Sequence, residues 1–177
     1  GVAVFYSDTQ AKLLYDDEAF LEKIAEHFGR DIIENGSLNR RKLADKVFSD
    51  KKELQILNSM VHPEVFKRFD EWAEKQHSPY VIMESAILFE NSLQDCFDTI
   101  ISISTPEEVV LQRVMLRDDC NKEQVLQRIR SQMPQEEKNT LADYVILHDN
   151  MTMLLPQILS IHGDILKHCI KNEKRKN

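Results

Sequence analysis

The sequence predicts an α/β protein built on a parallel sheet, with a long helical insert between its first two strands. Three observations carry this. Short runs rich in β-branched and aromatic residues, at 2–6, 80–83, 99–104 and 144–147, alternate with segments of helical periodicity, the pattern of parallel strands joined by right-handed crossovers. About seventy residues of mostly helical pattern separate the first two runs, more than a simple crossover needs. Glycine and proline are sparse, 4 and 5 in 177 residues, which favours long helices over elaborate loops.

Taken in order, residues 2–6 read as a buried strand, followed by Ser7-Asp8 and a helix from about Thr9. Phe20, Ile24 and Phe28 recur at helical spacing and predict a helix over 18–28. Glu34-Asn35-Gly36 is a turn. Two helices are predicted over 39–48 and 51–61, and Pro63 is expected to open another, with Val65, Phe69 and Trp72 on its core stripe. The strand at 80–83 leads through Glu84 and Ile87-Leu88-Phe89-Glu90 into a loop. After the strand at 99–104, Thr105-Pro106-Glu107-Glu108 predicts a capping box with proline at the first helical position. Asn121 is expected to cap a helix over 120–131, which Met133-Pro134 breaks. A short helix over 136–141, a strand at 144–147 and an amphipathic helix over 151–169 follow. That last helix is expected to turn Leu154, Ile158, Ile161 and Ile165 inward, with a basic, irregular tail at 171–177.

The net charge of −7 argues against non-specific nucleic-acid binding but leaves room for a phosphorylated small molecule held by a local arginine cluster. Cys96, Cys120 and Cys169 are odd in number and show no metal spacing, which fits a reducing, cytoplasmic compartment. There is no apolar run long enough to span a membrane and no signal-peptide pattern at the start. The chain begins without methionine, and a sheet of so few strands leads us to expect residues upstream of Gly1.

Several residues are candidates for chemistry. Arg113 and Arg117, four apart on a helix leaving the carboxyl end of a strand, share one face. Ligands of open α/β sheets bind beyond that end, and paired guanidinium forks suit phosphate oxygens. The alternative is a solvated face paired with Asp118 and Asp119. Asp8 directly follows a strand; it could take a proton, hold Mg²⁺ through water, or cap the next helix. Arg40 and Arg41 open a helix, where the dipole disfavours cations, so they answer either to a phosphate or to solubility. His62 could cap a helix, bind a ligand or pack. Glu90 is a ligand contact or a hydrogen-bond anchor. Arg128 and Arg130 reach a polyphosphate or solvent. The histidines form no zinc pattern, and no Gly-rich phosphate loop of the form G-x-x-x-x-G-K-[ST] is present in these 177 residues.

One order of short motifs is specific. Ser7-Asp8-x-x-Ala11-Lys12, Glu26-His27-Phe28-Gly29, Leu38-Asn39-Arg40, Val47-Phe48, His62-Pro63, Ile87-Leu88-Phe89-Glu90, Arg113-x-x-x-Arg117-Asp118 with Gln132, and Ala142-Asp143-x-Val145-Ile146 are collinear over about residues 1–165. In this order they resemble the dephospho-coenzyme A kinase family. The resemblance implies a three-layer parallel sheet of the P-loop nucleotide-kinase type. Its core would be residues 1–8 and 79–177, with a helical substrate insert over 9–78 and a small lid over 118–140. It implies ATP and Mg²⁺, with the metal carried by ATP and touched through water at Asp8, and phosphorylation of the ribose 3′-hydroxyl of dephospho-coenzyme A. Asp8, Arg113 and Arg117 would be catalytic. Arg40, His62, Leu88, Phe89 and Glu90 would shape the acceptor site, and Arg128, Gln132 and His148 the nucleotide and lid region.

The chain departs from the family at Tyr6, where an aspartate is usual, at Ala86 in place of a proline, and at His148 in place of an asparagine. The family's first strand and phosphate loop are expected upstream of Gly1. A monomer or weak homo-oligomer acting on small molecules is expected, without nucleic-acid or membrane partners. The competing readings are another nucleotide or nucleoside kinase, a non-catalytic cofactor-binding module that has lost its phosphate loop, and a helical partner-binding domain in which the arginine pair is ordinary surface.

Overall fold

The computed structural model describes residues 1–176, apart from the side chains of residues 48, 49 and 172–176. The chain forms two compact units, Gly1–Ala86 and Ile87–Asn177.

In the first unit, strands β1 (Ala3–Tyr6) and β4 (Val81–Glu84) pair in parallel, with Phe5 opposite Met83 and Tyr6 opposite Glu84. Between them run helices α1 (Ser7–Leu14), α2 (Glu18–Phe28), α3 (Arg40–Ser49) and α4 (Lys51–Ala73) and a small antiparallel hairpin, β2 (Ile33–Glu34) with β3 (Ser37–Leu38). The hairpin turns on Asn35 and Gly36, both at positive φ (52° and 77°). A tight two-residue hairpin requires that geometry, and these residue types tolerate it. Asp17 and Asn39 start α2 and α3 by accepting from the backbone N–H of Phe20 and Lys42, both at 3.0 Å.

The helices close around an apolar cluster that includes Phe5, Leu14, Ile24, Phe28, Ile32, Leu43, Val47, Leu57, Val61 and Val65. Phe5 meets Phe69 edge-on at 5.3 Å between ring centroids and Trp72 at 5.4 Å. This ties the first strand to the far end of α4.

Two expectations fail here. Helix α1 begins at Ser7 rather than near Thr9, so Asp8 is its second residue and not its cap. Pro63 does not open a new helix; it lies inside the continuous 23-residue α4. An internal proline costs roughly 3 kcal/mol. Leu57, Val61 and Val65 form one buried stripe on both sides of it, and each buried side chain of that size returns about 1.5–3 kcal/mol. Packing therefore carries the helix through.

In the second unit, β5 (Ile101–Ser104) and β6 (Tyr144–Leu147) pair in parallel, Ile103 opposite Ile146. Helices α5 (Glu107–Asp118), α6 (Lys122–Arg130) and α7 (Gln135–Leu141) connect them, and α8 (Leu154–Lys176) follows. The capping box predicted at Thr105 is absent. Pro106 occupies the cap position of α5 with no side-chain cap bond, and its carbonyl receives the N–H groups of Val109 and Val110. The predicted Asn121 cap is present as a reciprocal box with Gln124. Ile158 is 46% exposed rather than inward, whereas Ile161 is buried. The predicted irregular tail is helical through Lys176, and Asn177 lies outside the described residues.

A polar seam joins α7 to β5. Buried Ser102 donates its Oγ hydrogen to Asn139 Oδ1 (2.8 Å), Gln135 Nε2 donates to both Ser102 Oγ (2.9 Å) and Asn139 Oδ1 (2.8 Å), and Asn139 Nδ2 donates to Ser104 Oγ (3.1 Å).

Candidate functional site

In the first unit the site is built at the carboxyl ends of β1 and β4. Ser7 is buried, and its Oγ donates to the Glu84 carbonyl at 2.7 Å, fastening the start of α1 to the end of β4. That leaves Asp8 exposed in the first turn of α1, near the positive end of the helix dipole. Glu84 is held in register beside Tyr6. Its carboxyl is pushed above the usual range, first by burial and then by the negative charge of Asp8. Two carboxylates therefore share this corner, suited to accepting a proton or to holding a hard cation through water. Glu84 was not singled out from the sequence. The available signal was an acidic residue ending an apolar strand, at the edge where α/β sheets bind ligands.

Arg40 is the exposed first residue of α3. Its charge is felt by Tyr15, whose phenol is pushed up by burial and partly drawn back by Arg40. His62 lies inside α4, half-buried, and burial pushes its imidazole below the ordinary value; it is not a helix cap. An open groove of about 350 Å³ in this unit, lined by Leu14, Phe20, Lys23, Glu64 and Arg68 among others, contains none of the predicted site residues.

In the second unit Arg113 reaches back to the carboxyl end of β6. Its Nη1 bonds His148 Nδ1 at 3.0 Å, and its Nη2 donates to Asn150 Oδ1. Since the guanidinium can only donate, His148 Nδ1 is the acceptor. Arg117 is four residues on but points elsewhere. It grips Asp118 through Nε (2.7 Å) and Nη2 (3.2 Å), and Arg128 Nη1 takes the same carboxylate at 2.7 Å. Those bonds, Arg117's first and then Arg128's, hold the Asp118 carboxyl down to about 2. The solvated pairing weighed from the sequence is thus present at Arg117, though its side chain remains 73% exposed and within reach of an anion.

Leu88 and Phe89 are half-buried in the turn that follows Ile87. Glu90 Oε1 accepts from the Met133 N–H (2.9 Å) and from Lys138 Nζ (2.7 Å). Burial alone would raise its carboxyl; the bonds from Lys138 and Met133 outweigh it and leave it lowered. Gln132 is exposed, its N–H donating to the Ile129 carbonyl.

Asp8, Glu84, Arg40 and His62 thus belong to the first unit, and Leu88 onward to the second. Among the described residues no cluster of three or more His, Cys, Asp or Glu could hold a metal directly. No helix among them is long and apolar enough to cross a membrane.

A family model described as dephospho-CoA kinase matches residues 1–153. The chain belongs to this family. A dephospho-CoA kinase of Bacteroides fragilis strain YCH46 is 35% identical over 163 residues, covering 91% of this chain and 80% of the relative. One from Idiomarina loihiensis is 34% identical over 177 residues, covering 98% and 88%. A crystal structure of a protein from Thermus thermophilus superposes with a TM-score of 0.79 at 31% identity, covering 95% of this chain and 85% of that one. The dephospho-CoA kinase of Campylobacter jejuni gives a TM-score of 0.57 at 27% identity, covering 98% and 84%. The α/β architecture with parallel strand pairs agrees with the P-loop kinase fold of the dephospho-CoA kinase family. The family match spans the sequence-predicted site residues from Asp8 to His148.

Proposed function

We propose that the full-length protein transfers the terminal phosphoryl group of ATP to the ribose 3′-hydroxyl of dephospho-coenzyme A, giving coenzyme A and ADP, the last step of coenzyme A synthesis. The observation that carries this is the family match over residues 1–153. Phosphoryl transfer is mainly positioning and charge stabilisation, and the chain carries residue types suited to both. Asp8 is the base that takes the 3′-hydroxyl proton; its exposure just beyond β1 supports this. Arg113 and Arg117 offset charge on the transferred group. Arg40, His62, Leu88 and Phe89 shape the acceptor site, and Arg128, Gln132 and His148 the nucleotide side.

Mg²⁺ fits the acidic corner, because Asp8 and Glu84 offer hard oxygens and this ion keeps several of its waters. When bound with ATP it neutralises phosphate charge. The enzyme works on small molecules as a monomer or weak homo-oligomer in this reading, and a cytoplasmic compartment is supported by its free Cys96, Cys120 and Cys169.

The test is ADP release by full-length protein supplied with ATP, Mg²⁺ and dephospho-coenzyme A. Turnover is expected, and folded protein giving only background overturns the reading. Asp8→Asn is expected to lower kcat by about a hundredfold or more with little change in thermal midpoint. Unchanged kcat would remove Asp8 from the chemistry.

A further inference from the structure

We propose that Glu90 and Lys138 form a latch that fixes the junction between α6 and α7, making Glu90 a positioning residue for the nucleotide side of the reaction rather than a contact to the acceptor. This rests on the function proposed above. Glu90 sits in a closed turn: the N–H groups of Asn91, Ser92 and Leu93 return to the carbonyls of Ile87, Phe89 and Leu88 at 3.3, 3.0 and 3.1 Å. From that platform one carboxylate oxygen takes two donors 43 and 48 residues away in sequence, the Met133 N–H and Lys138 Nζ. Met133 directly precedes the proline that separates α6 from α7, and Lys138 lies in the middle of α7. Glu90 therefore holds the break and the helix beyond it together.

The pair is also the most enclosed ion pair among the described residues, with side chains 14% and 20% exposed. The second oxygen, Oε2, is buried with no partner. Such an orphan costs stability, and an apolar pair of similar shape would serve a purely structural contact at least as well. A pair that gains so little strength acts through placement. What the latch places is α6. That helix carries Arg128, which reaches Arg117 through their shared carboxylate at Asp118. A shift at Met133 propagates along one rigid helix to the arginines proposed to face ATP.

The experiment compares full-length wild type with Glu90→Gln, Lys138→Met and the double variant, reading kcat, KM for each substrate, and hydrogen exchange across α6. Each single variant is expected to raise KM for ATP about tenfold while leaving KM for dephospho-coenzyme A within about twofold. Exchange across α6 is expected to rise about tenfold in each. The double variant, which removes both charges and keeps an acceptor for the Met133 N–H, returns both readouts to within about threefold of wild type.

A folded Glu90→Gln with unchanged KM for ATP and unchanged α6 exchange overturns the latch. A double variant as impaired as Glu90→Gln, with raised KM for dephospho-coenzyme A, overturns it in favour of direct acceptor contact. A loss of activity that only tracks the folded fraction reduces the pair to structure and also overturns it. If wild type shows no turnover the proposed function falls, and the exchange pattern still decides whether the latch exists.

Discussion

In the first unit Phe5, Leu14, Ile24, Phe28, Ile32, Val47 and Leu57 belong to one continuous apolar cluster. In the second, the buried apolar side chains among the described residues are Leu111, Val125, Ile146 and Ile161, and polar contacts accompany them. Ser102, Ser104, Gln135 and Asn139 form the seam between β5 and α7, and Glu90 with Lys138 ties the turn at residues 87–93 to α7. Apolar packing is non-directional and indifferent to pH. Hydrogen-bonded seams are directional, and charged ones titrate. The first unit therefore leans more on volume, the second more on the orientation and ionisation of a few polar groups.

The contrast can be broken most forcefully at Ile24, which is fully buried. Ile24→Ala is expected to lower unfolding free energy by about 3–4 kcal/mol, read from denaturant midpoints. A loss under about 1 kcal/mol would mean that the first unit does not depend on its cluster. Asn139→Ala comes next. It leaves Ser102 and Gln135 short of partners in a partly buried seam and is expected to cost about 1–3 kcal/mol. The loss should register as faster exchange in β5; unchanged protection there would make the seam ornamental.

Acid gives the smallest effect. The Glu90 carboxyl is lowered in the folded state, so its contribution is present above the unfolded carboxyl value and is lost as pH falls through the folded one. The protection of the Met133 N–H, measured against its intrinsic exchange rate at each pH, should fall as acid protonates Glu90. In Glu90→Gln this acid step should vanish. If it persists, another group is responsible.

Where the signal was local, the sequence was legible. Asn39 and Asn121 mark helix starts that the structure keeps, and the strand at 144–147 appears with the expected bounds. Asn35-Gly36 marks the hairpin turn. Where local and tertiary terms compete, reading failed: Pro63 is a strong start signal, but the buried stripe through Val61 and Val65 overrides it. Thr105 fits the cap pattern, yet Pro106 takes the cap position and the helix starts with no side-chain cap bond.

The site divides the same way. Asp8 was visible because it follows a strand directly. Glu84 gains its meaning only from its register beside Tyr6, a pairing 78 residues apart in sequence. Glu90 was visible as a residue, but its two donors were not. Arg113 and Arg117 share a helix face by spacing, yet their guanidiniums are claimed by different partners, one at the end of β6 and one beside it on α5.

Pro63 leaves a mechanical signature. Helix α4 runs 23 residues, about 34 Å at the usual rise. With no N–H at Pro63, the carbonyl of Ser59 loses its rung in the ladder, and bending stiffness drops at that one level. The upstream arm is anchored by Leu57 and Val61, while the downstream arm ends in Phe69 and Trp72 against Phe5. The downstream arm thus meets β1 at Phe5, three residues before the proposed base at Asp8.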